Sequence, residues 1–149
     1  MGHLVLTKTI AAAPESVFEI FADLDRAAER VSSIEKIELL TEGAVGVGTR
    51  WRETRFIFKK EAVEELEITA FEPPHGYEVG CESCGCRYTR AFRFTPVGAG
   101  TEVTMEMNTK PITFFAKLMM PLGALMMGSM KKCLERDLDD LKTVAEGKS

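Results

Sequence analysis

The sequence predicts an α+β fold, in which an antiparallel sheet of about seven strands wraps around a long C-terminal helix. One strand and two short helices open the chain, six strands follow in succession, and a helical segment near residues 112 to 145 ends it. Consecutive antiparallel strands with one apolar face need a cover, and the last helix is the only predicted element large enough to provide one. No repeat, linker or low-complexity tract divides residues 1–149, so we expect a single domain.

The chain opens with a strand and two short helices. Residues 3 to 11 alternate polar and apolar side chains over most of their length, which is typical of a half-buried strand. A helix is predicted from Pro14, because proline suits a first helical turn and an acidic residue follows it. A second short helix is predicted from Asp25 to Arg30. The apolar face of the first helix comprises Val17, Phe18, Phe21, Ala22 and Leu24.

A strand over residues 34 to 40, a glycine-rich loop and a first hairpin follow. The hairpin is predicted to turn at Lys59-Lys60, and the position of the turn fixes the register of its two strands. This register places three pairs of residues opposite each other on one face of the sheet: Trp51 with Ile68, Glu53 with Leu66, and Arg55 with Glu64.

The second hairpin is predicted to turn at Cys84-Gly85, since glycine favours a tight turn. Prolines at 73 and 74 separate the two hairpins, because proline cannot continue a paired strand. A last strand is predicted from Thr101 to Thr109, with apolar residues at every second position. The second hairpin also has one largely apolar face, on which three pairs oppose each other: Tyr77 with Phe92, Val79 with Arg90, and Cys81 with Tyr88.

The C-terminal helical segment changes character halfway along. From Leu134 onward it is amphipathic, with apolar residues at helical spacing. From Ile112 to Met130 it is apolar almost all round, and Lys117 is its only charge before the end. Such a helix must be covered on more than one side, by a ligand, a partner or a lipid surface as well as by the sheet, or else be a buried core helix. Pro121 is expected to bend or break it, because proline removes a backbone donor.

Composition argues against several classes of function. A net charge of −4 argues against nucleic acid or an anionic membrane surface as the main partner. A content of 45% hydrophobic and 28% charged residues is that of a soluble globular protein. No signal peptide is visible, and lysine, proline and glycine interrupt the apolar helical segment. We therefore expect no stable membrane insertion and a cytoplasmic location.

The sharpest local motif is Cys81-x-x-Cys84-x-Cys86. Thiolates at this spacing are found in zinc sites, iron–sulfur sites and redox pairs. A closed zinc site needs four ligands, and neither His75 nor Cys133 is close in sequence. We therefore predict a plain turn with no structural metal and no cofactor, although a redox role of the thiols stays open. No HExxH, GxSxG or P-loop pattern occurs.

Short signatures follow one another along essentially the whole chain: residues 13 to 18, 48 to 53, 71 to 74, 88 to 94, 100 to 104 and 138 to 141. In their order they resemble the START-like, helix-grip superfamily (SRPBCC) of polyketide cyclases, dehydrases and lipid-transport proteins. The resemblance implies a curved seven-stranded sheet around the C-terminal helix, with an apolar cavity between them. Members bind sterols, lipids, polyketides or plant hormones, and some catalyse cyclisation. The resemblance implies no shared set of catalytic residues, so function must be argued from the site.

The predicted function is binding or carriage of a hydrophobic small molecule, of lipid, polyketide or aromatic type, in that cavity. The candidate ligand-binding residues are Trp51, Glu53, Tyr77, Tyr88, Arg90, Phe92, Met105, Phe115, Met119 and Met126.

Two other functions stay open. In an enzyme of the polyketide cyclase/dehydrase type, Glu53 would move a proton, Arg90 would hold a carboxylate or enolate oxygen, and the tyrosines would orient a carbonyl. In an interaction module, the apolar half of the C-terminal helix would bind a partner or form a homodimer. Internal ion pairs, such as one between Arg55 and Glu64, would explain the inward-facing charges without catalysis.

Overall fold

The computed structural model describes residues 2–57, 60–83, 85–119 and 127–147. Within these ranges seven strands form one antiparallel sheet in the spatial order β1-β7-β6-β5-β4-β3-β2. The predicted number and order of strands are therefore confirmed. The strands are β1 (Gly2–Ile10), β2 (Ile34–Leu39), β3 (Arg50–Ile57), β4 (Lys60–Glu72), β5 (Gly76–Ser83), β6 (Cys86–Val97) and β7 (Gly100–Pro111).

The helices lie between β1 and β2 and after β7. Helix α1 is Pro14–Ala22, and the predicted second helix is one 3-10 turn (Leu24–Arg26) followed by α2 (Ala27–Arg30). The C-terminal part contains α3 (Phe114–Leu118) and the long α4 (Met127–Ala145). The predicted bend at Pro121 concerns a residue outside the described ranges.

The register of the second hairpin is as predicted. Tyr77 lies opposite Phe92, and Cys81 lies opposite Tyr88. Gly85 has a φ of +74°, a left-handed conformation that glycine adopts without strain, and this explains its place in the turn. Cys84 lies outside the described residues.

The register of the first hairpin differs from the prediction by two residues. A turn at Lys59-Lys60 has no glycine or asparagine to fix it, so packing of the buried face decides the pairing. A shift of two residues returns each side chain to the same face, and the predicted inner face is therefore retained. The observed pairs are Trp51 with Leu66, Glu53 with Glu64, and Arg55 with Ala62.

The hydrophobic core lies between the inner face of the sheet and the helices α1 and α4. One cluster joins β1, α1, β6, β7 and α4, and a second joins the 3-10 turn to β3, β4 and β5. The sheet thus holds α4 as the covering requirement predicts. The buried members are Leu6, Ile10, Val17, Phe18, Phe21, Phe94, Val103, Met105, Met107, Leu134 and Leu138 in the first cluster, and Leu24, Trp51, Leu66, Ile68 and Val79 in the second.

Polar contacts fix α4 to the N-terminal part of the chain. The backbone N–H of Ala11 donates to Oε2 of Glu146 at 2.8 Å, and Ser32 donates from both N and Oγ to Oδ2 of Asp140 at 2.9 Å. These contacts lie near the C-terminal end of the helix, so that end has a defined position on the domain. No helix in the described part of the chain has the length and apolarity needed to cross a bilayer.

Candidate ligand-binding site

Two adjoining cavities lie between the sheet and α4. Cavity 1, of ≈ 80 Å³, is bounded by β3, β5 and β6, by α4, and by the segment from α1 to β2. Cavity 2, of ≈ 100 Å³, lies nearer the β5–β6 turn and the first turns of α4. The two cavities adjoin, because five residues line both of them: Glu53, Arg55, Val79, Arg90 and Leu134.

The structure brings most of the candidate ligand-binding residues to these cavities. Phe115 and Met119 are 70% and 38% exposed and line neither cavity, and Met126 lies outside the described residues. Cavity 1 is lined by Trp51, Glu53, Tyr77, Arg90, Phe92 and Met105, and cavity 2 by Glu53, Tyr88 and Arg90.

A buried ion network crosses the border between the two cavities. Nη1 of Arg55 lies 2.6 Å from Oδ2 of Asp137 on α4, and its Nε donates to Oε2 of Glu53. Ser33 joins the network, because its Oγ accepts from Arg55 at 3.0 Å and donates to Oδ1 of Asp137 at 2.8 Å. The predicted Arg55–Glu64 pair is wrong, since the shifted register puts Arg55 opposite Ala62 and α4 supplies the second carboxylate.

Glu53 is held as an anion in this network. Burial alone would raise the pKa of its carboxyl, but the positive charges of Arg55 and Arg90 and the hydrogen bonds from Arg55 and Trp51 outweigh burial and lower it. Both carboxylate oxygens are engaged, since Nε1 of Trp51 donates to Oε1 at 3.3 Å while Arg55 binds Oε2. A carboxylate with a lowered pKa and occupied oxygens is a weak proton acceptor.

The hydroxyl of Tyr77 is also engaged. It donates to the backbone carbonyl oxygen of Phe21 at 3.2 Å, and burial raises its pKa above the ordinary value. Its ring stacks on Phe92 with a centroid distance of 4.9 Å. Tyr77 therefore connects α1 to the sheet, and the contacts of its hydroxyl are structural ones.

Arg90 is a charged group at the border for which the described residues provide no hydrogen-bond acceptor. It lines both cavities and forms no hydrogen bond or ion pair with the residues that the structure describes. Its positive charge acts to lower the pKa of Glu53, Tyr77 and Cys81, which line the same cavities. An inward-facing guanidinium whose N–H groups find no acceptor among the described residues is costly unless water or a ligand supplies one.

Cys81 is a neutral thiol on the wall of cavity 2. Its Sγ donates to Oε2 of Glu64 at 3.3 Å. Burial, the negative charge of Glu64 and this hydrogen bond raise the pKa of Cys81 to about 12. The thiolate is the form that attacks electrophiles and binds metals, so this environment suppresses both reactions. Within the described ranges no group of three or more His, Cys, Asp or Glu side chains is arranged to hold a metal ion, and the absence of a structural metal stays a prediction.

Comparison with known proteins identifies the family. Residues 1–146 match the family described as polyketide cyclase/dehydrase and lipid transport. The chain belongs to this family. The resemblance to START-like proteins in the sequence is thereby confirmed, and it extends over nearly all of the chain. No curated protein matches this member of the family.

Solved structures of the same architecture include proteins of different kinds. One is a protein of Thermus thermophilus, with a TM-score of 0.73, 23% identity and 95% of this chain and 94% of that chain covered. Another is ginseng major latex-like protein 151 from Panax ginseng, with a TM-score of 0.79, 13% identity and 97% of each chain covered. A third is the di-domain ARO/CYC StfQ from the steffimycin biosynthetic pathway, with a TM-score of 0.80 and 13% identity. The match covers 97% of this chain and 51% of that chain. At these identities the likeness shows the helix-grip fold alone.

Sequence reasoning missed two members of the buried network in this family member. Asp137 is one of several acidic residues on an amphipathic helix, yet it is only 7% exposed. It lies three residues after Leu134 and beside Leu138, which places it within the apolar stripe of α4. An acidic residue within an apolar helical stripe is a signal from which the burial of Asp137 could have been predicted. Ser33 carries no such signal, because it belongs to the short connection between α2 and β2.

The lowered pKa of Glu53 predicts a loss of stability in acid. The contribution of this carboxylate to folding stability is fully present above the ordinary carboxyl pKa of 4.5. It is lost as the pH falls through the lowered pKa of the folded state. We expect the difference in unfolding free energy between the wild type and Glu53→Gln to be largest near neutral pH and to shrink in acid. Urea denaturation over a series of pH values measures it, with the exposed Glu65→Gln as the control. A difference that stays constant down to strong acid would contradict the prediction.

Proposed function

We propose that the protein binds or carries a hydrophobic small molecule, of lipid, polyketide or aromatic type, in the space formed by cavities 1 and 2. Membership of the polyketide cyclase/dehydrase and lipid transport family supports this. So do the apolar walls of cavity 1, which come from several different elements and include Phe21, Leu24, Trp51, Ile68 and Leu138. Apolar cavities with a few polar groups that fix orientation are the usual form of small-molecule sites.

The observation that carries the proposal is the guanidinium of Arg90 at the border of the two cavities, which forms no hydrogen bond or ion pair within the described part of the chain. The other border charges are satisfied, since Arg55 and Glu53 pair within the network. A ligand with one anionic oxygen, such as a carboxylate, phenolate or enolate, would complete the hydrogen bonding of Arg90 while its apolar body fills the adjoining space. We therefore assign Arg90 the role of holding the polar end of the ligand.

A binding role accounts for the geometry more directly than acid–base catalysis by Glu53. Catalysis needs a proton acceptor within reach of the reacting atom, and Glu53 has a lowered pKa with both oxygens engaged. An enzyme of the cyclase/dehydrase type would need another group. Glu64 is a carboxylate that lines cavity 2, where it accepts a hydrogen bond from the thiol of Cys81. Loss of turnover of an identified substrate in Glu64→Gln, with ligand affinity retained, would favour the enzyme.

Trp51 provides a reporter for this site, because it is the one tryptophan of the chain and it lines cavity 1. Quenching of its fluorescence measures the affinity of an added probe. We expect naphthoate to bind more tightly than its neutral methyl ester, since only the acid can pair with Arg90. In Arg90→Met the affinity for naphthoate should fall about tenfold, the value of a charge-assisted hydrogen bond, while that for the ester changes little.

The matched control is Arg93→Met, on the same strand but exposed. It should bind both probes like the wild type. Equal affinity of the wild type for naphthoate and its ester would contradict the role assigned to Arg90. Absence of saturable quenching by either probe would contradict the cavity-binding proposal. Native mass spectrometry of protein purified from its own source would then look for a retained small molecule.

A further inference from the structure

Helix α3 and the residues beside it expose a group of large apolar side chains. Such side chains occur singly on most surfaces, but a contiguous group marks an interaction site. Within α3 only the small Ala116 is buried. The exposed members, which we call the α3 patch, are Ile112 (42%), Phe114 (82%), Phe115 (70%), Leu118 (65%) and Met119 (38%).

The backbone of the α3 patch is firmly held by the β5–β6 turn. The N–H of Ile112 donates to the carbonyl oxygen of Gly85 at 2.8 Å, and Oγ1 of Thr113 caps the helix by accepting from the N–H of Ala116 at 3.1 Å. A Cβ on Gly85 would meet the side chains of Thr113 and Ala116, so the helix rests directly on the turn. The aromatic side chains are therefore presented outward from an anchored segment.

The stretch of sequence that contains the α3 patch carries charges of one sign. The chain as a whole carries −4, yet no aspartate or glutamate occurs between Glu106 and Glu135. The same stretch contains four lysines, all exposed: Lys110, Lys117, Lys131 and Lys132. The net charge of the chain is therefore not that of this stretch, in which residues 107–134 carry four positive and no negative side chains.

We propose that the α3 patch docks on the surface of an anionic lipid bilayer. Protruding phenylalanine and leucine side chains, in a stretch of sequence with lysines and no acidic residues, are the composition of segments that lie in the membrane interface. The aromatic groups enter the boundary between head groups and acyl chains, and the lysines are attracted by anionic head groups. Cavity 2 lies at the same end of the domain, beside the β5–β6 turn, although the docking surface does not depend on what that cavity binds.

The test is co-sedimentation with vesicles of phosphatidylcholine alone and of equal parts of phosphatidylcholine and phosphatidylglycerol. We expect binding to the anionic vesicles only, and weaker binding as the salt concentration rises. Phe115→Ser should lower the binding constant about tenfold through lost apolar contact. Lys117→Gln should lower it about fivefold, the effect of one cation near an anionic surface.

The control is Val47→Ser, because Val47 is also 70% exposed but lies in the loop before β3, at the opposite end of the sheet. It should bind like the wild type. The proposal is overturned by absence of vesicle binding, by equal binding to neutral vesicles, or by equal effects of Phe115→Ser and Val47→Ser. It is also overturned if sedimentation equilibrium finds a dimer that Phe115→Ser dissociates, since the patch would then be a subunit interface.

Discussion

Replacing Arg55 with methionine is expected to lower the free energy of unfolding by about 3–5 kcal/mol near neutral pH. The change removes the cation that pairs with Glu53 and Asp137, and both carboxylates are then left inside the protein without their partner. Because the Arg55–Asp137 pair joins β3 to α4, its loss also weakens the contact between the sheet and the helix. Urea denaturation followed by the fluorescence of Trp51 measures the effect.

The control for this prediction is Arg52→Met on the same strand. Arg52 faces outward, where its guanidinium lies 3.5 Å from the carboxylate of Glu65, and the two side chains are 42% and 50% exposed. Solvent screens such a pair, so we expect a loss of less than about 1 kcal/mol. Equal losses in the two variants would mean that water solvates the Arg55 network in the folded protein.

Phe18→Ala is expected to lower the free energy of unfolding by about 3–5 kcal/mol through loss of buried contacts and the cavity that remains. Phe18 is 4% exposed at the junction of α1 with the sheet. Its ring lies 5.4 Å from both Phe71 and Phe94 and meets Tyr77 edge-on at 5.8 Å. Removal of the ring thus disturbs the whole aromatic cluster and the hydrogen bond from Tyr77 to α1.

Phe115→Ala provides the comparison, because the same side chain is removed from a surface position. At 70% exposure it contributes little to folding, and we expect a change within about 0.5 kcal/mol. A large loss would show that Phe115 packs in the folded protein and would also weaken the lipid-docking proposal. Small losses in both variants would mean that the aromatic cluster repacks around the missing ring.

The two functional proposals separate cleanly in these experiments. Arg90→Met acts inside the cavity and Phe115→Ser acts on the surface, and no described contact connects the two residues. We therefore expect Arg90→Met to retain vesicle binding and Phe115→Ser to retain naphthoate binding. Failure of one proposal leaves the other intact.

The sequence by itself determined which elements form and which faces they bury. Side chains alternate between the two faces of a strand with a period of two. Trp51, Tyr77, Arg90 and Met105 therefore keep their inner positions even if the predicted register is wrong by an even number of residues. The glycine at position 85 also fixed the second hairpin, and that register is correct. Family membership follows from the same order of elements and motifs.

Only the tertiary structure decided which charges meet. The partner of Arg55 is Asp137, 82 residues away on α4, and no local pattern connects the two positions. The first hairpin has no turn residue that fixes its register, so packing selected Ala62 rather than Glu64 as the neighbour of Arg55. Local periodicity specifies the face on which a side chain lies, whereas ion pairing depends on distances between separate elements, which are set only when the sheet closes on the helix.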